Sequence, residues 1–479
     1  MCAEPVLRHL TEETKISGCS VNLGGIRAMK HHLTRRAFIR TAAAGSAAVS
    51  WLRARRTPTA LAAEPGKPAL LGGRPVFKGA WPRWPEWRES WEPEILKVLR
   101  SGRWYRGHSG GKVPEFEAAY AQLLGAKRCL ATASGTTALI TSLHVLGLDA
   151  GDEVIVSPYT FIATYNAVLM HKALPVFADT DPETLTMDPA SIESRITKRT
   201  RAILPVHIFG MPCDMDAINA IAKKHKLAVI EDACQAWLAE YKGRMCGTLA
   251  DLGCFSFQNS KHITSGEGGA ITGNNEDLLD RCNSFHNCGR AAGSFHGQGY
   301  FTRGSNYRMQ HFQAAMLLQQ LDKLVKETEV RRKNADYLSA NLQQIRGVTP
   351  ARLPKDSRAV WHLYPLRYDA AQFSGLPRAA FMRALRAEGV PCSGVYHEQY
   401  YDGLLNEAIE SHGFQRLFSR ERLKAYRDSL QELTGNQLVC STTVGLPQNL
   451  LLGQRRELEQ VIEAIRKIQA HSGELARVA

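Results

Sequence analysis

The sequence predicts an α/β fold with a mostly parallel sheet. Short apolar runs alternate with helical patterns along the middle of the chain, and the runs lack the polar alternation of a strand with one solvated face. Continuous apolar strands are typical of parallel sheets that helices cover on both faces. The predicted strands are 130–132, 153–156, 174–177, 202–206 and 227–230, and the predicted helices include 161–172 and 215–226.

The second half of the chain has a different pattern, which predicts a second domain. After Gly273 the pattern is mainly helical, with one long helix expected over 312–345. An aromatic-rich strand at 361–368 and a helix at 378–388 then predict a smaller α+β unit. The expected organisation is an N-terminal segment over 1–62, a large domain over 63–345 and a small C-terminal domain over 346–479.

The composition excludes several classes of protein. The chain has 479 residues, of which 44% are hydrophobic and 22% are charged, as in ordinary globular proteins. No apolar run reaches the roughly 18–20 residues of a membrane-spanning helix, so no integral membrane segment is expected. The eleven cysteines are scattered and form no C-x-x-C pair, so they predict neither a disulfide framework nor a metal site.

The net charge of +14 raises the question of nucleic-acid binding. However, residues 1–62 contain ten Lys and Arg against three acidic residues, which accounts for half of the excess. The rest of the chain is only mildly basic and has no basic block interleaved with aromatic residues. Because nucleic-acid-binding surfaces combine these features, no nucleic-acid partner is predicted.

The N-terminal segment resembles an export signal. It contains Arg35-Arg36, a weakly apolar stretch over 41–52, and Ala60-Leu61-Ala62 as a candidate cleavage site. This order is typical of twin-arginine signals. Three arginines directly after the apolar stretch leave a basic disordered tail as the alternative. The expected location is therefore periplasmic or otherwise exported, and cytoplasmic if the signal is not used.

The first stretch with a chemical pattern is a predicted strand-to-helix junction. It contains Ser134, Gly135, Thr136 and Thr137. Small residues let backbone N–H groups approach an anion, and a helix N-terminus favours negative charge. The junction therefore predicts a phosphate site, although Ser and Thr are also common helix N-caps.

Two further stretches supply an acid and an amine. Asp232 follows an apolar strand, at the sheet edge where ligands of open α/β folds bind. A carboxylate there can hold a cationic ring nitrogen or cap the next helix, and the residues alone leave both possibilities open. Lys261 lies between an apolar strand and the glycine turn at 266–269, and taken alone it is more typical of a solvated surface lysine.

The three stretches together predict a site for pyridoxal 5'-phosphate (PLP). This cofactor needs a phosphate cradle, a carboxylate for its protonated ring nitrogen, and an amine that forms a Schiff base with its aldehyde. The chain supplies these groups in three neighbouring strand-to-loop segments. Lys261 and Asp232 are therefore the predicted catalytic residues.

From about Ala69 to Gln469 the chain resembles the DegT/DnrJ/StrS family of PLP-dependent sugar aminotransferases. The resemblance implies a fold-type I aminotransferase, with a large domain and a smaller C-terminal α+β domain. It also implies a homodimer whose active sites lie at the subunit interface. The matching segments are Ser134-Gly135-Thr136, 151–156, 160–164, Pro205-Val206-His207, Glu231-Asp232-Ala233, Ser256-Phe257, Lys261, 266–269 and 306–309.

The resemblance implies roles for four residues around the cofactor ring. Lys261 matches the Schiff-base lysine, which also moves the proton between the two halves of the reaction. Asp232 matches the partner of the ring nitrogen, and Gln235 matches the group that bonds the ring oxygen. Phe161 occupies the position of the aromatic side chain that stacks on the ring.

It also implies a phosphate site that two subunits share. Ser256 and the backbone of Gly135, Thr136 and Thr137 match the phosphate-binding groups. Asn306 matches the asparagine that reaches the phosphate from the neighbouring subunit. A dianion held by fixed donors is consistent with the helix N-terminus at this junction.

Within the family, the residues at 256–261 and 70–75 are similar to those of a branch that acts on cyclitol ketones. That branch includes glutamine-dependent scyllo-inosose aminotransferases and amino-hydroxybenzoate synthases. Members that dehydrate deoxysugars carry histidine at the Schiff-base position, so Lys261 favours transamination. The expected activity is ping-pong transfer of an amino group from glutamine or glutamate to a keto-sugar or keto-cyclitol.

Two alternatives stay open at this point. One is an exported, non-catalytic binding or sensing protein with this fold, and the other is a PLP-dependent sugar dehydratase. The chain also departs from the family pattern at 396–401, where many members have a Tyr-Pro-Leu-His stretch, and at Trp237, beside the acid. These departures concern the substrate pocket rather than the cofactor site.

Overall fold

A seven-stranded sheet forms the centre of the structure, which is a computed structural model that describes residues 66–108, 110–293 and 299–479. Its strand order is β1-β9-β8-β5-β4-β2-β3, and β9 runs antiparallel to its two neighbours while the other neighbouring pairs are parallel. The predicted mostly parallel sheet is therefore confirmed. The strands are β1 (Arg128–Thr132), β2 (Glu153–Val156), β3 (Leu174–Phe177), β4 (Thr200–Leu204), β5 (Ala228–Asp232), β8 (Leu252–Ser256) and β9 (Gly269–Gly273).

Two small sheets complete the β-structure of the described residues. One has the order β10-β12-β13, and the other pairs β11 with β6 and β6 with β7. The predicted strand at 361–368 begins at Leu363, because Trp361 has a left-handed backbone (φ 60°) that a strand does not accommodate. The strands are β6 (Glu240–Tyr241), β7 (Arg244–Met245), β10 (Val348–Pro350), β11 (Ser357–Arg358), β12 (Leu363–Tyr368) and β13 (Thr443–Pro447).

Helices cover the sheets, and their bounds follow the sequence pattern with one clear exception. The single helix predicted over 312–345 is wrong, because the chain forms two helices that are interrupted next to Gln320. The buried Gln320 side chain accepts a hydrogen bond from the Thr264 amide (3.1 Å) and donates to the Thr264 carbonyl (2.7 Å). The α-helices are α1 (Glu92–Ser101), α2 (Lys112–Leu124), α3 (Gly135–Val145), α4 (Ala163–Leu169), α5 (Met215–His225), α6 (Glu276–His286), α7 (His311–Leu318), α8 (Leu321–Leu342), α9 (Arg378–Ala387), α10 (Gly403–Glu410), α11 (His412–Leu417), α12 (Arg420–Ser429), α13 (Thr434–Thr442), α14 (Arg455–Ala470) and α15 (Ser472–Arg477).

The apolar core is divided among clusters that follow the sheets. One cluster joins β12 and β13 to α9 and α14 and includes Phe381 and Ile465. A second cluster joins one face of the large sheet to α2 and includes Phe116. A third joins the large sheet to α3 and to residues 400–433, so part of the chain beyond residue 346 packs on the large sheet.

The proposed division at residue 345 and the N-terminal segment stay predictions. Residues 63–479 form one compact unit, within which the large and small sheets are separate. The twin-arginine motif and the candidate cleavage site lie outside the described residues. In the described part of the chain, no helix has both the length and the apolar character needed to cross a membrane.

A buried carboxylate joins residues 400–433 to the large sheet. Glu153 in β2 is fully buried and accepts hydrogen bonds from Arg422 Nε (2.7 Å) and from Thr197 Oγ1 (2.7 Å). A buried charge that loses its partner is costly, because its desolvation is no longer compensated. Arg422 is about one-quarter exposed, which reduces that cost.

We expect Arg422→Met to lower the free energy of unfolding by about 2–3 kcal/mol, since Glu153 then stays buried without its cation. Denaturant titration would measure the change. The matched control is Arg427→Met, which removes an exposed pair with Glu410 and should cost about 0–1 kcal/mol. Equal effects of the two substitutions would contradict this role for Glu153.

Candidate active site

A cavity of about 480 Å³ opens where β5 and β8 end and α3 begins. Ligands of open α/β sheets bind at this edge, because the loops that follow parallel strands converge there. The cavity brings together most of the residues predicted from the sequence. Its lining includes Gly135, Thr136, Phe161, Asp232, Gln235, Ser256 and Lys261.

The N-terminus of α3 forms one end of the cavity. Ser134 caps the helix by accepting a hydrogen bond from the Thr137 amide (3.1 Å), and the Thr137 hydroxyl accepts one from the Ser134 amide (3.0 Å). This capping box leaves the amides of Gly135 and Thr136 without an acceptor in their own helix. Two N–H groups at a helix N-terminus are a suitable site for a phosphate.

Close packing explains why glycine occupies the first position of α3. A Cβ at Gly135 would lie 2.8 Å from Cys234 Sγ and 2.8 Å from Ser256 Cβ. A Cβ at Gly269, in the neighbouring strand, would lie 2.3 Å from the Ser134 carbonyl. The backbone at the helix start is therefore pressed against two strands, which keeps its amides at the cavity surface.

Asp232 lies at the floor of the cavity, at the end of β5. It is 5% exposed, and its carboxylate accepts hydrogen bonds from Thr164 Oγ1 (2.8 Å) and from the Cys234 amide (3.2 Å). Thr164 is fixed in turn by a 2.8 Å hydrogen bond with Thr160. The carboxylate orientation is therefore set before any ligand binds.

The preceding residue, Glu231, points to the opposite face of β5 and has a different role. Its carboxylate accepts bonds from the amides of Gly247 (2.6 Å) and Leu249 (2.6 Å) and from the imidazole of His207 (2.9 Å). With Cys246 it forms a cluster whose ligand atoms lie within 4.8 Å of one another. Because backbone amides and an imidazole already occupy the carboxylate, this cluster holds the loop after β7 together.

Gln235 is held by hydrogen bonds at both ends of its amide. Its Oε1 accepts from the Phe209 amide (2.7 Å), and its Nε2 donates to the Tyr396 hydroxyl (3.0 Å). Phe209 can make this contact because its backbone is left-handed (φ 55°), a strained conformation for a bulky residue. One N–H of Gln235 remains available to a ligand in the cavity.

Lys261 presents an amine that no described residue binds. Its Nζ makes no hydrogen bond or ion pair within residues 66–108, 110–293 and 299–479, and it lies 5.8 Å from the centre of the Trp237 ring. Removal from water lowers the pKa of Lys261, while the charge of Asp232 opposes part of that shift. A partnerless amine with a lowered pKa is suited to attack an aldehyde.

Three predicted residues are not enclosed in the cavity. Phe161 lies at the rim and is 57% exposed. Thr137 turns its side chain to the Ser134 cap rather than to the cavity, so the N-cap interpretation applies to its hydroxyl. Asn306 is exposed and lies outside the cavity of its own chain, paired with the backbone of Asn287.

The structure adds three cavity residues to those predicted for the site, and one of them, Tyr396, lies in the stretch at 396–401 that the sequence connected only with the substrate pocket. Thr164 holds Asp232, His362 contributes one wall, and Tyr396 holds Gln235. A threonine pair with helical spacing, at 160 and 164, was the available signal for Thr164. His362 and Tyr396 reach the cavity from distant parts of the chain, and no local pattern marks such contacts.

These residues fit PLP. The uncapped amides and Ser256 suit a phosphate, the fixed Asp232 carboxylate suits a protonated ring nitrogen, and the amine of Lys261 suits an aldehyde. Glycine at position 135 lets the start of α3 lie directly against Ser256, so the helix amides and the serine share one end of the cavity. The carboxylate of Asp232, the amine of Lys261 and the phosphate-binding amides of α3 thus lie in one cavity, as PLP requires.

Comparison with known proteins agrees with this geometry. Residues 85–413 match the DegT/DnrJ/EryC1/StrS aminotransferase family. The L-glutamine:2-deoxy-scyllo-inosose aminotransferase of Streptomyces paromomycinus is 34% identical over 418 residues, which cover 84% of this chain and 97% of that protein.

Solved structures of other proteins are also similar to this chain. The structure of 3-amino-5-hydroxybenzoic acid synthase has a TM-score of 0.72 and 30% identity, over 82% of this chain and 99% of that one. NtdA from Bacillus subtilis, solved with its bound cofactor PMP, has a TM-score of 0.67 and 28% identity, over 82% of this chain and 86% of that one. The chain therefore belongs to the DegT/DnrJ/EryC1/StrS aminotransferase family and is a PLP-dependent aminotransferase.

Proposed function

We propose that this enzyme transfers the amino group of glutamine to a keto-cyclitol of the scyllo-inosose type. The observation that carries the proposal is the amine of Lys261, which no described residue binds, in the same cavity as the fixed carboxylate of Asp232. The similarity to a glutamine-dependent scyllo-inosose aminotransferase over most of both chains supports the donor and the acceptor. Glutamate and nucleotide-linked keto-sugars are the competing donor and acceptor.

The residues of the cavity have separate roles in the proposed transamination. PLP, when bound, withdraws electrons from the carbon that loses its proton. The Lys261 amine would move that proton, because it lines the cavity, has no hydrogen-bond or ion-pair partner among the described residues and has a lowered pKa. With PLP bound, the Asp232 carboxylate, which Thr164 holds in place, would bind the ring nitrogen, and the remaining N–H of Gln235 would bind the ring oxygen. Lysine rather than histidine at position 261 disfavours the dehydratase alternative.

The activity can be tested by a product screen. Purified enzyme with glutamine should convert scyllo-inosose or 2-deoxy-scyllo-inosose into an amine that mass spectrometry detects, and Lys261→Ala should abolish the product. Parallel assays would use glutamate and nucleotide-linked 3- and 4-keto-sugars. If the loaded enzyme produced no amine from any donor and ketone, the non-catalytic alternative would replace this proposal.

The phosphate end of the cavity gives a second prediction. We expect Gly135→Ala to weaken PLP binding about tenfold or more, a loss of about 1.4 kcal/mol, because the new Cβ meets Cys234 and Ser256 at 2.8 Å. Titration of the apo-protein with PLP would measure the affinity. The control is Gly403→Ala, also at the first position of a helix, where a Cβ meets nothing within 4 Å.

We also propose a homodimer in which Asn306 of one chain reaches the phosphate bound by the other. Asn306 is exposed, and aromatic side chains near it in the chain, Tyr300 and Phe301, are 71% and 47% exposed. Exposed aromatic residues are typical of subunit interfaces. The resemblance to the family suggests the same arrangement.

Analytical ultracentrifugation should therefore give a molecular mass of about twice the 53.1 kDa of one chain. Asn306→Asp should weaken PLP binding severalfold, since it places a negative charge beside the phosphate, whereas the exposed Asn406→Asp should not. A monomer, or an Asn306→Asp protein with unchanged affinity, would contradict the shared site.

Export by the twin-arginine segment is a separate proposal, supported by Arg35-Arg36 and the following apolar stretch. Fractionation of expressing cells would compare the double variant Arg35→Lys/Arg36→Lys with the wild type. The variant should stay in the cytoplasm, whereas the wild type should be exported. An identical distribution of the two proteins would remove this proposal and leave the cytoplasmic location.

A further inference from the structure

Behind Lys261 lies a group of buried polar atoms that the proposed reaction does not use. His262, the next residue, is 2% exposed, and its ring packs 5.2 Å from Trp237 and 6.1 Å from His362, measured between ring centres. Among the described residues, neither ring nitrogen of His262 has a well-formed hydrogen bond, although the Trp361 backbone lies nearby. Buried polar atoms are rarely left without a hydrogen-bond partner.

His362 connects this group to the active site. It lines the cavity, and its backbone is fixed by a 2.7 Å hydrogen bond to the Phe209 carbonyl. Its Nδ1 is buried and has no partner among the described residues, which leaves Nε2 as the nitrogen available to the cavity. The partner of Nδ1 therefore decides whether His362 presents a donor or an acceptor to the substrate.

Helix α8 supplies the remaining polar atoms. Arg331 is fully buried, and its Nε and Nη2 donate to the Gln448 side chain (2.9 and 2.6 Å), while Nη2 also pairs with Glu327 (3.2 Å). Its Nη1 has no partner in the described structure, and its guanidinium lies 5.4 Å from the ring centre of Trp84, whose Nε1 donates to the Lys261 carbonyl (3.1 Å). Thr328, on the same face of α8, is 1% exposed, and its hydroxyl is also unpaired among described residues.

Both imidazoles favour the neutral form. Burial and the Arg331 charge hold the pKa of His262 well below its usual value, and burial, Lys261 and Arg331 do the same for His362. A neutral imidazole has one N–H donor and one acceptor nitrogen. An anion would satisfy only the donor, whereas water satisfies both.

We propose that the region between His262, His362 and Arg331 binds ordered water, and that this water fixes the tautomer of His362. A buried water needs two to four polar partners, and these three side chains offer that number. His262 is then a positioning residue, because it acts on the active site through the water and His362. This inference depends on the buried side chains alone and holds for any amino acceptor.

A high-resolution crystal structure of the holoenzyme tests the site directly. We expect ordered water about 2.7–3.2 Å from a ring nitrogen of His262 and from Nδ1 of His362. A dry site, a bound ion, or direct hydrogen bonds from both His262 nitrogens to protein atoms would overturn the proposal.

The tautomer can be tested separately by nitrogen-15 NMR of histidine-labelled holoenzyme, with the His362 signals assigned through His362→Gln. His262→Leu should change the ratio of His362 tautomers, whereas His262→Gln, which retains a donor and an acceptor, should preserve it. Removal of an exposed histidine by His412→Leu is the control and should leave the signals unchanged. An unchanged tautomer ratio in a His262→Leu protein that still binds PLP would overturn the proposed role.

Discussion

An amine that lines the cavity and has no polar partner among the described residues is the feature on which the whole site depends. Most buried cations are paired with a carboxylate, and pairing would keep the Lys261 amine protonated and unreactive. Here the amine lies 5.8 Å from the centre of the Trp237 ring, and the Asp232 carboxylate in the same cavity is occupied by Thr164 and by the Cys234 amide. The fold thus keeps acid and amine in one cavity without letting them neutralise each other.

The sheet topology makes this separation possible. Asp232 ends β5 and Ser256 ends the adjacent β8, so side chains distant in sequence reach one edge. Close packing of Gly135 against Cys234 and Ser256 brings the start of α3 to the same edge. Phe209, whose backbone is left-handed, donates its amide to Gln235, so a strained residue takes part in orienting a side chain of the cavity.

The sequence predicted the parts of this arrangement that local patterns encode. The strands at 153–156 and 174–177 were predicted with the observed bounds, because continuous apolar runs identify covered strands. Lys261, Asp232 and Gly135 were placed at strand ends, and the structure brings them into one cavity. The roles of these residues stay predictions until they are tested.

Features that depend on long-range contacts were not predicted. At the break between α7 and α8, the Gln320 side chain bonds the distant Thr264 backbone, a contact that the helical pattern of 312–345 does not reveal. Tyr396 reaches Gln235 across 161 positions of the chain, so no short motif reveals it. Likewise, residues 400–433 pack on the large sheet through apolar contacts and through the hydrogen bond from Arg422 to Glu153, which no local pattern connects.

The most direct measurement is mass spectrometry of the cofactor-saturated enzyme after reduction with borohydride and digestion. The account predicts a phosphopyridoxyl adduct on the peptide that contains Lys261 and on no other peptide. An unmodified Lys261 peptide, or an adduct confined to a different lysine, would contradict the assignment of this amine as the centre of the site.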